Sequence, residues 1–368
     1  MFPKFSFDSR SNQITFRPNS IIVSVVALFI AVLCTGWFSG NAQAEFVLVA
    51  PETIPGNDLN HITPVLTFQF DGIGPLKPIT GIAASLVQDP IFVVFGPNQE
   101  LFVSNRHGNV GEGRGSISRF KLDPTRTFIL NGTITGNSLE AVAGLAFSLG
   151  GELFAANLLN HTISRFIIDA QGNAIAHSFF VTDEEFNEGL AFAADGELFT
   201  THSSSIIRSW RIDPATGEVH DSNRSISVAG SSRLHGIAFS ANNELFVTDL
   251  DTNLIYRFLF DGSHNLVSNG SIPVAGGPIG LAFSPTGELF VTSHFAGGIT
   301  RFTFDTQGNA VQNGSMLPTN QLGGAAIVTL PSAPPPVAVP EPGTLTLLGS
   351  GLLSLLGYVT LRRWRRKS

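Results

Sequence analysis

The chain has 368 residues and a formal net charge of −7, and only 13% of its residues are charged, about half the ~25% usual for globular proteins. The first 44 residues carry +2 and the last seven +5, which leaves −14 on residues 45–361. Such an acidic body excludes a nucleic-acid binder, which needs clustered Lys and Arg, and the single cysteine, Cys34, excludes a disulfide or thiolate site in that body.

In chain order, the first element is the apolar run Ile21–Leu33, which follows Lys4, Arg10 and Arg17 and precedes Ala42-Gln43-Ala44. A basic stretch, a short apolar segment and an A-x-A site predict a signal peptide over residues 1–44, cut by signal peptidase at the site set by Ala42 and Ala44. The run is shorter than the ~20 residues a membrane span requires, and Gly36 and Gly40 follow it.

Residues 45–330 are dominated by a repeat. Five times the chain reads Phe, four residues, then Glu-Leu-Phe: at Phe95/Glu100, Phe147/Glu152, Phe192/Glu197, Phe239/Glu244 and Phe283/Glu288. The glutamates are 52, 45, 47 and 44 residues apart. Four of the five motifs follow Gly-[Leu/Ile]-Ala, and downstream an aromatic stands three residues before an aspartate, as in Phe120/Asp123 and Phe302/Asp305. Gly-Leu-Ala-Phe reads as one short strand and Glu-Leu-Phe-Val as the next. The stretch Ile-x-Arg-Phe-x-Phe-Asp, with its alternation, reads as a third, and a weaker fourth follows a Gln-Gly-Asn turn. Four strands in 40–50 residues is the period of a β-propeller blade, and the length allows six blades. Gly323–Ile327 matches the first strand of a repeat, Glu45-Phe46-Val47 the second and Leu66–Asp71 the third, so the sixth blade is expected to be shared between the two ends. The fold class is all-β, and the pattern resembles the NHL and SMP-30/gluconolactonase-like six-bladed propellers.

Recurring residues read as structural, including the five glutamates and the Asn-x-Ser/Thr triplets at Asn131, Asn160, Asn223, Asn269 and Asn313, which suit turns. Function is expected where repeats differ around the channel mouth. One such column, just before Gly-[Leu/Ile]-Ala, holds Glu188 and His235 beside Ala143 and Ile279. A second, three residues beyond the Phe of Glu-Leu-Phe, holds Asn105, Asn157, His202 and Asp249 beside Ser293. Carboxylate, amide and imidazole groups around one axis can hold Ca2+ or a transition ion. A gluconolactonase-like enzyme, to which the repeat is similar, uses a Glu/Asn/Asp metal set of this kind. The Gly-rich segment 105–115 of the first repeat reads as a surface loop, because strands rather than a helix flank it.

The last elements are a proline-rich linker over 331–343, containing Val339-Pro340-Glu341-Pro342, an apolar run over 344–361 predicted as a transmembrane helix, and a basic tail over 362–368. Arg362, Arg363, Arg365, Arg366 and Lys367 hold that tail in the cytoplasm by the positive-inside rule. The body then lies across the membrane, in agreement with the signal peptide. Motif, helix and basic tail together resemble the PEP-CTERM sorting signal of Gram-negative bacteria. The resemblance implies an exosortase as partner, which cuts near Val339–Pro342 and passes the body from the inner membrane to the outer surface and biofilm matrix. Two functions stay open: a binding or scaffold module, for polysaccharide or another surface protein, and a metal-dependent lactonase-like hydrolase with its site at the channel.

Overall fold

The alternation in each repeat produces a four-stranded antiparallel sheet, and six such sheets form the ring of a β-propeller. The structure, a computed structural model, describes residues 46–53, 63–72, 74–107, 115–169, 173–182, 187–213, 215–316 and 321–329. The expected signal peptide, linker, membrane helix and basic tail lie outside the described residues, as do 108–114 of the Gly-rich loop. Among the described residues no helix is long and apolar enough to cross a membrane.

Blade I runs through Pro90–Phe95, Leu101–Asn105, Ser116–Leu122 and Phe128–Ile134, from the axis outwards. Blades II, III, IV and V start at Val142, Asn187, Leu234 and Pro278 and repeat that order; in blade III the outermost position is shared by Val219–Asp221 and Ile226–Ser227. Blade VI is assembled from both ends. Its innermost position is filled by Gln321–Leu322 and Ala326–Thr329, which pair with Phe46–Thr53, and Val65–Phe70 and Lys77–Ile82 complete it. Ile327 lies opposite Leu48 as Phe147 lies opposite Leu153, so Gly323–Ile327 does take the place of a first strand. The second strand departs from expectation. Leu48, opposite Phe68, is the counterpart of Leu101 opposite Phe120. The apparent match of Glu45-Phe46-Val47 to Glu-Leu-Phe is therefore two residues out of register, and Val47 takes the position of the glutamate. A slip of two preserves which face each side chain takes.

The second strands are buried along their whole length because a neighbouring blade covers each face. Their Phe residues meet the Phe that ends the next blade's first strand, edge to face: Phe102 on Phe147, Phe154 on Phe192, Phe199 on Phe239 and Phe246 on Phe283, with centroids 5.0–5.4 Å apart. Rings packed in this way add about 1 kcal/mol each beyond area burial.

The repeated glutamates pair with the arginine of Ile-x-Arg-Phe. Arg119 meets Glu100, Arg165 meets Glu152, Arg257 meets Glu244 and Arg301 meets Glu288, all at 2.8–2.9 Å. Blade III has Ser209 at the arginine position, and Glu197 is reached instead by Arg224 at 3.1 Å. Three Asn-Gly-Ser/Thr triplets belong to the same device. They are not turns but bulges within the outermost strands, with Gly132, Gly270 and Gly314 at φ +118°, +89° and +114°. The bulge aims Asn131, Asn269 and Asn313 inwards, and each donates its side-chain amide to the glutamate. In blade II, His177 Nδ1 takes that role, 2.7 Å from Glu152. Downstream, Asp123, Asp169, Asp261 and Asp305 each accept the backbone N–H four residues on, closing the turns between third and fourth strands.

The glycine of Gly-[Leu/Ile]-Ala is required by the approach of adjacent first strands. A Cβ on Gly189 would collide with the His235 carbonyl, and one on Gly236 with that of Ile279. A register shift in each first strand leaves this residue's N–H without its ladder partner, and a hydroxyl on the second strand accepts it. Thr248 Oγ1 accepts from Gly236 N at 2.7 Å and donates to Ile279 O at 3.1 Å, tying blade IV to blade V. Thr292 and Thr201 make the same link, Ser104 accepts from Phe92 N, and blade II has Ala156 at this position. Gly236→Ala should therefore cost about 3 kcal/mol, as overpacking of a rigid core does. Gly262→Ala, where a Cβ meets nothing within 4 Å, should change the unfolding free energy read from urea titration by less than about 0.5 kcal/mol. Equal midpoints for the two variants would show that the inner strands do not touch in this way.

Candidate functional site: the mouth of the central channel

The six first strands enclose a channel of about 340 Å³. Among the described residues its walls are glycine and apolar side chains, such as Val94, Leu145, Ala191, Ala238, Ala282 and Ala326, with no titratable group. Each first strand starts beside the end of its second strand, as Val142 beside Asn157, and finishes beside that strand's start, as Phe147 beside Leu153. One end of the channel is thus ringed by the loops joining blades, here called the mouth face, and the other by tight turns, the turn face.

Two expected site residues meet at the mouth. His235 Nδ1 lies 3.4 Å from Glu188 Oε2, ion-pair distance but outside hydrogen-bonding geometry, and both side chains are nearly buried. Neither ring nitrogen of His235 has a hydrogen-bond partner among the described residues. A buried imidazole nitrogen without a partner forfeits about 1–3 kcal/mol of solvation, so something polar is expected there.

The structure places the other four expected residues inside their blades rather than at the mouth. Asn105 and Asn157 are 1% and 0% exposed. Their carbonyl oxygens accept the backbone N–H groups of Gln88 (3.0 Å) and Glu140 (3.1 Å), while their amides donate to hydroxyls of the third strand. Asp249 is also fully buried; its carboxylate accepts from the backbone of Ser232 at 2.7 Å, Thr252 at 3.0 Å and Asp251 at 3.1 Å. His202 lies 3.1 Å from Thr200 Oγ1. Asn105, Asn157 and Asp249 thus pin loops to blades. Their oxygens face N–H donors, the wrong chemistry for Ca2+, which needs free carboxylate and carbonyl oxygens. The column therefore does not fit a cation, and among the described residues no three His, Asp, Glu or Cys side chains group as a metal site would require.

The position one further along, just past each second strand, holds Arg106, Leu158, Ser203, Leu250 and His294, of which Leu250 is buried. These positions lie in the turns that follow the second strands, where strand alternation no longer sets the direction of a side chain. Leu158 packs on Ile91, Phe92 and Ala143, an apolar stretch beside the charged Arg106 and His107 of blade I. Opposite stand Glu188, His235 and His294. Burial lowers the pKa of His294, the positive charges of His235, Arg233 and Arg106 lower it further, and a hydrogen bond to the Leu322 backbone opposes them. Those charges bring blades I, IV and V to one place. Arg106 is held by Asp89 at 2.6 Å, with His107 3.3 Å from the same carboxylate, and Arg233 lies 3.4 Å from Asp251.

Because the folded state lowers the pKa of His294, neutral His294 favours folding. That contribution is complete above the ordinary value of ~6.5 and is lost as pH falls through the lower folded-state pKa. Melting of the body should decline on acidification below ~6.5, and less steeply in His294→Gln. Parallel curves for the two proteins would remove His294 as the cause.

The ring of blades resembles solved gluconolactonase-like structures in fold. The periplasmic gluconolactonase of Pseudomonas aeruginosa superposes with a TM-score of 0.57 at 18% identity, over 74% of this chain and 83% of that one. A putative 6-phosphogluconolactonase from Bacteroides fragilis gives 0.57 at 16% identity, over 76% and 83%. At these identities the likeness is one of fold. No curated protein matches the chain in sequence. Residues 338–366 match the PEP-CTERM protein-sorting motif, so the chain carries the sorting signal of an exported exosortase substrate.

Proposed function

We propose that the protein is a cell-surface or matrix binding module, freed from its inner-membrane anchor by an exosortase, that takes a small polar ligand at the channel mouth. The observation that carries the binding half is the imidazole of His235 on the mouth face, beside Glu188 and with neither ring nitrogen hydrogen-bonded among the described residues; the apolar channel of about 340 Å³ begins at the glycines that follow these two residues. An apolar stretch around Leu158 next to charged and imidazole groups suits a ligand with one face of each kind, as sugars have. The sorting half rests on the motif at 338–366. The mature chain is then expected to run from Glu45 to the neighbourhood of Val339–Pro342, without membrane helix or basic tail.

Both halves can be tested on one sample. Intact mass of protein shed by an exosortase-bearing host should give those ends; a chain retaining Met1 and Ser368 would refute the sorting half. Imidazole NMR signals of His235 and His294 should shift on titration with oligosaccharides from the host's own matrix, and the shifts should vanish in Glu188→Ala. Unmoved signals with every neutral and acidic fraction would refute the binding half. The Glu188–His235 pair also supports a lactonase-like reading, in which the carboxylate and imidazole share proton transfer at a lactone carbonyl. Hydrolysis of glucono-δ-lactone above the spontaneous rate, abolished by Glu188→Gln, would favour that reading over simple binding.

A further inference from the structure

The body is joined to its sorting tail at one defined point. The last described strand, Ala326–Thr329, is the innermost strand of blade VI and runs from the mouth face to the turn face, where Thr329 pairs with Phe46. The chain therefore leaves on the turn face and close to the propeller axis. Phe46 begins its strand there too, so both ends of the body lie opposite the mouth.

We propose that the tail holds the anchored precursor with its turn face towards the exosortase-bearing membrane and its channel mouth directed away. This rests on residues 344–361 acting as a membrane anchor. Residues 330–343 are 14 residues, a connection that spans at most about 50 Å when fully extended. To turn the mouth towards the bilayer, the tether would have to cross the blade VI radius of about 14 Å, three strand spacings, and climb about 20 Å of strand length. That path consumes most of its reach, whereas the opposite arrangement consumes none.

The test uses the full chain carrying Cys34→Ser, in proteoliposomes containing rhodamine-labelled lipid, with one new cysteine bearing a donor fluorophore. Ala241→Cys on a turn and Ala275→Cys on a mouth loop form a matched exposed pair in blade IV, and Ala194→Cys and Ala229→Cys form one in blade III. Energy transfer to lipid should be at least about twofold greater from the turn position in both pairs, given ~20 Å of axial separation. Equal transfer, or greater transfer from the mouth positions, in protein that floats with the vesicles overturns the orientation alone. Protein that fails to float with the vesicles removes the anchor, and the orientation with it.

Discussion

Deleting residues 321–330 should lower the melting temperature of the body by about 10 °C or more and cause it to aggregate. The deletion removes the ladder between Ala326–Thr329 and Phe46–Val49 and the short pairing of Gln321–Leu322 with Glu52–Thr53. It also takes away buried Leu322, Ala325 and Ala326 and uncovers Leu48, Val47 and Val49, which are 0% exposed in the closed ring. Loss of that apolar contact is worth on the order of 5 kcal/mol, which corresponds to about 10 °C for a body of this size. The open ring would in addition present an unpaired apolar strand edge, a template for association between chains. Differential scanning calorimetry with light scattering measures both effects. An unchanged melt without scattering would mean that the ring does not depend on this strand.

Glu288→Ala should cost about 3–5 kcal/mol, the range for removing one partner of a buried ion pair. Glu288 accepts two bonds from Arg301, at 2.9 and 3.1 Å, and one from Asn313 at 2.9 Å. Arg301 is also clamped between the Phe70 and Phe290 rings, 4.4 and 5.6 Å from their centroids, and donates to Gly74 O at 2.7 Å. Arg301, 6% exposed in the intact blade, then loses its counter-charge. Glu218, whose side chain is 70% exposed, should tolerate the same change within about 0.5 kcal/mol. Blade VI supplies its own double substitution, with Val47 and Thr67 at the two positions. Glu288→Val with Arg301→Thr should accordingly recover more than half of the loss in urea titration. A double variant as weak as the single one would mean that the pair is worth more than its desolvation costs.

The fold was readable in the sequence because each blade repeats what the ring requires. Glu100 and its four equivalents, the Phe residues beside them and Gly189 or Gly236 recur since every blade meets the next in the same way. The aspartate-capped turns recur for the same reason. The site was harder to read. Glu188 and His235 stood out because they replace the Ala143 and Ile279 of other blades, but Asn105, Asn157 and Asp249 varied only in how they pin a loop, and His202 lies buried in its blade. His294 and Arg106 gave no such signal because they stand one residue beyond that column, in the turns that follow the second strands. Blade VI misled in a similar way. Glu45-Phe46-Val47 imitates the repeat, yet pairing with Val65–Phe70 sets the register two residues later, and only the partner strand carries that information.

The bulges that aim Asn131, Asn269 and Asn313 at their glutamates bear on the chemical ageing of the protein. Each is an Asn-Gly dipeptide, the sequence in which a freely moving backbone nitrogen most readily attacks the side-chain amide and expels ammonia. In the folded blade the amide is engaged by Glu100, Glu244 or Glu288, and the nitrogen of the bulge glycine is fixed within a strand. An opened chain has neither restraint. Deamidation there would put a second carboxylate against the first, a like-charge contact that a buried site resists. Unfolding would then be hard to reverse, and the lifetime of the protein outside the cell would be set by how slowly its blades open rather than by its equilibrium stability.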